Sequence, residues 1–227
     1  MDSDIGVVVL SAIQKPLEKC LRAIQNQEGG PYPIIYVENV FPMSEAFSRM
    51  LEVAQTKFVV QVDGDIVLKP WAIKTLLKGI RYKPWVYASW GQLYEDGFGL
   101  GGAVRCWRVP IVKQFGFRNV RCVDRDLHKR IRRWGFQRYE VKTGAVFGTH
   151  YPRETEFDIF SKTRNDVAKW IYLKRTDLLN ELCNTMKEKD NLRFYAMGSA
   201  LMLDINKSKD LSLDLKMYEA LKNANRF

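Results

Sequence analysis

The chain has 227 residues, 46% hydrophobic and 27% charged, and its 36 Lys and Arg against 26 Asp and Glu leave a formal net charge of +10. That balance belongs to a globular protein able to bury a real core; it excludes disordered, collagenous and low-complexity classes and suits one large domain or a domain with an appendage. No stretch approaches the ~20 apolar residues of a bilayer span, and Met1 to Ile5 lack a basic segment leading into an apolar one, so a cytosolic protein is expected.

Ile5 to Leu10 reads as a first strand, after which Pro16 opens an amphipathic helix with Leu17, Cys20, Leu21 and Ile24 on one face, ended by Gly29-Gly30-Pro31. Ile34 to Val37 is a second buried strand closing on Glu38 and Asn39. Past Pro42, Ser44 can cap a helix carrying Phe47, Met50, Leu51 and Ala54, and Phe58 to Val62 is a third strand. Strand, helix, strand, helix, strand at this spacing predicts a right-handed, mainly parallel α/β sheet. The strand ends near Ser11, Glu38 and Asp63 would share one edge, where a nucleotide could lie.

Asp63-Gly64-Asp65 stands at that edge. Two hard oxygen ligands separated by a residue that lets the chain bend tightly can face one divalent cation with positions left for phosphate oxygens. Asp-Gly is also a common turn dipeptide, so the triplet alone reads as a solvated turn as well.

Further along, Pro70 starts a helix through Leu76, Leu77 and Ile80, and Trp85 to Trp90 is strand-like. Gly91 to Gly102, rich in glycine, is either a mobile loop beside the site or a plain β-turn connection. Val104 to Val109 is a strand, and Ile111-Val112 begins a short helix ending near Gly116. Asp124 can cap a helix whose Leu127, Ile131 and Trp134 point inward and which Gly135 stops. Arg138 to Val141 and Ala145 to Phe147 are expected as closing strands before His150 and Pro152.

From Phe157 onward the periodicity is helical, through Val167, Trp170, Ile171, Leu178, Leu182 and Met186, then around Phe194 to Leu203 and Leu213 to Leu221. Residues 153–227 therefore read as a helical appendage to a 1–152 domain, packing on it or on a second subunit as a homo-oligomer contact. Cys20, Cys106, Cys122 and Cys183 lie far apart, which points to reduced, buried thiols and to neither a zinc site nor a disulfide framework.

The positive charge is concentrated. Between Arg105 and Lys142, twelve Lys and Arg face only Asp124, Asp126 and Glu140. Such a stretch attracts nucleotide phosphates, a phosphorylated acceptor, anionic lipid headgroups or nucleic acid, or is a well-solvated helix face.

The ordered series resembles family 2 type glycosyltransferases of the GT-A fold. Val7 to Ser11, the Leu17 to Gln27 helix and Ile34 to Glu38 look like that family's first two strands and intervening helix. Phe58 to Pro70 is similar to its strand, Asp-x-Asp and proline. Phe115-Gly116-Phe117, then Val123 to Leu127 with Arg130 and Gly135, is similar to its later catalytic segment. The similarity covers roughly the first 152 residues.

The resemblance implies a GT-A Rossmann-like domain that moves one sugar from a nucleotide-diphospho-sugar donor to an acceptor hydroxyl, with Mn²⁺ or Mg²⁺ as cofactor. Asp63 would meet the ribose and assist the metal, Asp65 would bind it, and His150 looks like the histidine that some members add to the metal shell. Ser11 and Glu38 would contact the base and ribose, with Arg49 a further nucleotide contact. Asp124 would be the general base of an inverting transfer, ionised at a helix N-terminus, with Asp126 the substitute; Asp126 is otherwise expected to pair with Arg130. His128 is assigned no role.

Two departures stand out. Val123 replaces the acid that often precedes the base, and Glu38-Asn39 replaces the more usual Asp-rich strand end. Gln-x-x-Arg-Trp, the motif of processive synthases, is absent, which points to single-sugar transfer; the acceptor is expected to be anionic or membrane-proximal, and the protein to sit at most peripherally on a membrane. The alternatives are a sugar nucleotidyltransferase, which usually carries a glycine in the loop that is here Ser11 to Lys15, and a basic nucleic-acid-binding protein, which the absence of a nucleic-acid motif disfavours.

Overall fold

A computed structural model describes residues 4–11, 17–95, 99–151, 155–185, 191–200, 203–204 and 206–224. Ala12 to Pro16, Gly97, Pro152 and Met186, which enter the sequence reading, lie outside the described residues.

The chain runs β1 (Ile5–Ser11), α1 (Glu18–Gln25), β2 (Ile34–Glu38), α2 (Met43–Val53), β3 (Phe58–Asp63), β4 (Ile66–Leu68), α3 (Ala72–Arg81), β5 (Val86–Glu95) and β6 (Gly99–Arg108). It continues through α4 (Val109–Phe115), α5 (Val123–Arg132), β7 (Gln137–Glu140), β8 (Gly148–His150), α6 (Glu156–Leu173), α7 (Thr176–Thr185), α8 (Asn191–Ala200) and α9 (Leu211–Asn223). The chain divides into two compact units. The first holds residues 1–40, 45–117 and 124–152; the second holds 41–44, 118–123 and 153–227.

In the first unit the sheet order is β2-β1-β3-β6-β5-β8-β4, with β7 also on β5. β1 is parallel to β2 and β3, while β6 runs antiparallel between β3 and β5. β5 is parallel to β7 over its first half and to β8 at its end, and β8 returns antiparallel to β4. Helices cover both faces, which is why β1 and β3 are continuous apolar runs rather than alternating ones. Val7, Val9, Val60 and Val62 pack with Cys20 and Ile24 of α1 and Ile73, Leu76 and Ile80 of α3. Val8 and Val59 pack on the other face with Met50 of α2, Val112 of α4 and Leu127 and Ile131 of α5. This is the mixed, mainly parallel α/β sheet flanked by helices that the periodicity predicts.

Several details differ. The glycine-rich 91–102 stretch is largely paired strand, with β5 and β6 extending to Glu95 and Gly99. The closing strand is β8, after Phe147 rather than through Ala145 to Phe147. Trp134 does not point inward: α5 ends at Arg132, so the helical period has lapsed, and the indole is 76% exposed. Gly135, at φ 85, then turns the chain, as its position implied. Ser44 lies inside the first turn of α2 rather than ahead of it. Cys20, Cys106 and Cys122 are buried, but Cys183 is exposed.

In the second unit, Thr155 caps α6 by accepting from Asp158 N at 3.2 Å, and Asp210 caps α9 by accepting from Ser212 N at 2.9 Å. Phe160, Ala196 and Tyr218 form its apolar core. Asp214, fully buried, accepts from Arg164 at 2.5 Å, Asn165 at 2.5 Å and Ser161 at 2.8 Å, joining α9 to α6 through a satisfied polar cluster. Among the described residues no helix is long and apolar enough to cross a membrane.

Candidate active site

Sheet register gathers the first set of candidate residues. Leu10 stands opposite Asp63, and Ser11 opposite Glu38, so the carboxyl ends of β1, β2 and β3 finish together. Asn39, in left-handed conformation at φ 53, donates its N–H to Ser11 O at 2.9 Å, and Gly64 N–H donates to Leu10 O at 2.8 Å. Gly64 sits closely against its neighbours: a Cβ there would lie 2.5 Å from Leu17 Cδ2 and 3.3 Å from Ser11 Oγ, so the Leu17 side chain would have to turn aside to admit one. The bend expected of it needs no left-handed backbone.

A second pairing brings Asp65 to His150. Ile66 stands opposite His150 where β4 meets β8, and Tyr151 N–H donates to Asp65 O at 3.1 Å. His150 Nε2 then lies 3.3 Å from Asp65 Oδ1, an oxygen with almost no contact with solvent. Two residues 85 positions apart in sequence are thus joined by a short two-stranded return. Among the described residues no group of three His, Cys, Asp or Glu side chains is assembled to hold a metal ion. A carboxylate oxygen and an imidazole nitrogen at this separation nevertheless fit neighbouring positions on one divalent cation, with remaining positions for water or phosphate oxygens.

Asp124 lies in the first turn of α5, where it accepts from Arg105 Nη2 at 2.8 Å through Oδ2 and from Arg125 N at 2.8 Å through Oδ1. Arg105 in β6 stands opposite Gln61 in β3. Val59, Gln61 and Asp63 share one side of β3 by strand alternation. Val59 packs against Leu127 and Ile131 of α5, so that side is the one α5 covers. Asp63 and Asp124 therefore belong to the same face of the sheet, with the Gln61–Arg105 pair behind them.

Below this face is a polar core the sequence reading did not foresee. Trp107 Nε1 donates to Gln61 Oε1 at 3.0 Å, and Tyr87 Oη is 2.6 Å from His128 Nδ1, all four side chains being buried. His128 also stacks on Trp107, with ring centroids 5.7 Å apart. Burial, and then the Arg105 charge, push the imidazole down from 6.5 to about 4, while burial pushes the Tyr87 phenol up to about 12, so both stay neutral near pH 7. A signal was present: Gln61 interrupts an apolar strand, and His128 falls one turn after Asp124, on the helix's inner side with Leu127 and Ile131.

Other residues are placed as follows. Asp126 accepts from Arg130 Nε at 2.8 Å, the i,i+4 pair expected of it, and Arg130 also donates to Phe115 O at 2.5 Å and Gly116 O at 2.6 Å. Arg49 is exposed on α2 and paired with Glu52 at 2.9 Å. Cys20 approaches Asp63 O at 3.8 Å, and burial, followed by the charges of Asp65 and Asp63, raises its thiol to about 12, which leaves it unreactive.

No family model and no curated protein matches the sequence. Solved structures do match in shape. The mannosyltransferase PcManGT from Pyrobaculum calidifontis, in complex with GDP-Man and Mn²⁺, aligns with a TM-score of 0.51 at 15% identity, over 97% of this chain and 75% of that one. TarS 1-349 from S. aureus, in complex with UDP-GlcNAc, aligns with a TM-score of 0.53 at 11% identity, over 86% and 71%. At such identities the likeness is one of fold: the chain has a GT-A Rossmann-like architecture.

Proposed function

We propose that the first unit is the catalytic domain of a metal-dependent, inverting glycosyltransferase that moves one sugar from a nucleotide-diphospho-sugar to an acceptor hydroxyl. The observation that carries this reading is the Asp65–His150 pair, 3.3 Å apart at the strand edge where Ser11, Glu38 and Asp63 also end. The shared architecture with PcManGT and TarS supports it, as do the Mn²⁺, GDP-Man and UDP-GlcNAc that those proteins hold.

Asp65 and His150 would hold Mn²⁺ or Mg²⁺, with Asp63 close by. The ion would neutralise charge that builds on the leaving diphosphate. Ser11 and Glu38 would contact the base and ribose, and Arg49 would reach the nucleotide only on leaving Glu52. Asp124 would take the proton of the acceptor hydroxyl as that oxygen attacks the anomeric carbon on the side opposite the diphosphate, which inverts the configuration. The Arg105 guanidinium beside Asp124 favours an acceptor bearing an anionic group.

Calorimetric titration with UDP, GDP, CDP and dTDP, each with and without Mn²⁺, tests the reading. Saturable binding of at least one, dependent on the metal, is expected; failure of all four overturns it. Pyrophosphate release from a nucleoside triphosphate would instead assign nucleotidyl transfer.

A further inference from the structure

A group of exposed aromatic and cationic side chains occupies the end of the sheet away from the candidate site. β5 and β3 run the same way, each antiparallel to β6, and Gln92 and Asp63 fall near one level of the ladder through Ala103. Trp85, just before β5, is therefore displaced from that level by about 20 Å along the strand. The turn between α3 and β5 carries Tyr82, 64% exposed, and Trp85, 43% exposed, with Lys83 Nζ 5.3 Å from the first ring and 5.0 Å from the second. The last residue of α5 and the turn from it to β7 carry Arg132, Arg133 and the 76% exposed Trp134.

The two turns are joined. Gln137 N–H donates to Trp85 O at 3.0 Å, and the Tyr139 ring lies 5.4 Å from that of Tyr82. Arg108 fixes the first turn from beneath, donating to Ile80 O at 2.6 Å, Val86 O at 2.8 Å and Lys83 O at 3.2 Å. All four residues of β7 are exposed, and Glu140 is the one acid in the two turns and that strand.

We propose that this end of the first unit docks on an anionic lipid surface. Tyr and Trp rings settle at the headgroup level, where one part of the ring is apolar and its heteroatom stays wet, while Lys and Arg beside them meet negative headgroups. Here each turn carries an aromatic ring beside a cation in sequence, and Arg108 presets the first turn, so little ordering is needed on contact. A cationic helix face without aromatics would show only charge. Docking in this way would leave the strand edge with Asp63 and Asp65 facing away from the bilayer, so it is independent of the catalytic reading.

The test is cosedimentation of the full chain with vesicles of phosphatidylcholine, alone or mixed with phosphatidylserine. Binding to the mixed vesicles alone is expected, with Arg132→Glu/Arg133→Glu weakening it at least about tenfold. Trp134→Ser should weaken it too, and brominated acyl chains should quench tryptophan fluorescence less in Trp134→Phe than in the unaltered chain. Because these side chains are exposed, the variants should keep the thermal midpoint and any nucleotide affinity of the parent. Absence of cosedimentation, or unchanged binding by both variants, overturns the proposal; so does a gel shift with nucleic acid in the absence of vesicle binding.

Discussion

Arg105 Nη2 lies 2.8 Å from Asp124 Oδ2, a bond from the antiparallel strand β6 to the first turn of α5. The guanidinium fixes one carboxylate oxygen, and Arg125 N holds the other. Asp124→Asn keeps that shape while removing the charge that takes a proton. If it is the base, kcat falls about 10²- to 10⁴-fold while the calorimetric affinity for the nucleotide is unchanged. Arg105→Gln, which leaves the base in place but loosely held, should cost about 10- to 100-fold in kcat. Asp126→Asn serves as the contrast: with Asp126 bound to Arg130, its loss should lower thermal stability and spare turnover. Full activity in Asp124→Asn would assign the base elsewhere.

The Asp65–His150 contact gives a second prediction. Neither side chain alone makes a metal site, so removing either should uncouple nucleotide binding from the ion. Asp65→Asn and His150→Ala are each expected to weaken Mn²⁺-dependent nucleotide diphosphate binding at least about tenfold. Binding by the parent should be abolished by EDTA and restored by excess Mn²⁺. Equal affinity with and without metal in the parent would remove both residues from the role.

What the sequence made legible was set by local patterning. The apolar runs of β1, β2 and β3, interrupted by amphipathic helices, left few arrangements other than a parallel sheet, and Ser11, Glu38 and Asp63 followed from where those runs stop. β4 was hidden because three residues carry no period, and its partner β8 is 80 positions further on. The Asp65–His150 contact depends on that pairing, so spacing alone could not give it; the resemblance supplied His150. Trp134 continues the apolar spacing of Leu127 and Ile131 but lies past the end of α5, where that spacing no longer fixes a buried face. His128 was passed over because the basic residues around it suggest a solvated face, while Tyr87 and Trp107, which bury it, arrive from other strands.

His128 should leave a mark on acid stability. Burial holds its imidazole near 4 in the folded chain against 6.5 when exposed. Below pH 6.5 the unfolded chain therefore takes up a proton that the folded chain refuses, and stability falls as pH drops until the folded site titrates near 4. The slope is at most about 1.4 kcal/mol per pH unit. In urea titrations run from pH 7 down to about 4, His128→Gln, which keeps a polar partner for Tyr87 but does not titrate, should be less stable than the parent at pH 7 and lose less on acidification. Parallel pH profiles for the two proteins would mean that His128 is not held neutral.

In the second unit, packing of α9 on α6 rests on Asp214. Its carboxylate is reached by Arg164, Asn165 and Ser161, with Arg164 and Asp214 side chains only 4% and 1% exposed. A buried ion pair adds little over an apolar pair of equal size, but losing one partner strands the other charge. Asp214→Ala should therefore destabilise the unit by about 3–5 kcal/mol. Faster amide exchange in α6 and α9 would report it. Arg164→Met combined with Asp214→Leu should recover part of the loss by removing the stranded guanidinium. Recovery stays partial because the Ser161 hydroxyl and the Asn165 amide still lose the Oδ2 acceptor, although Asn165 keeps its 2.9 Å bond to Ser161 O. If the double variant is no more stable than Asp214→Ala, the cost lies in those two donors and the space left behind, and the arginine contributes nothing to it.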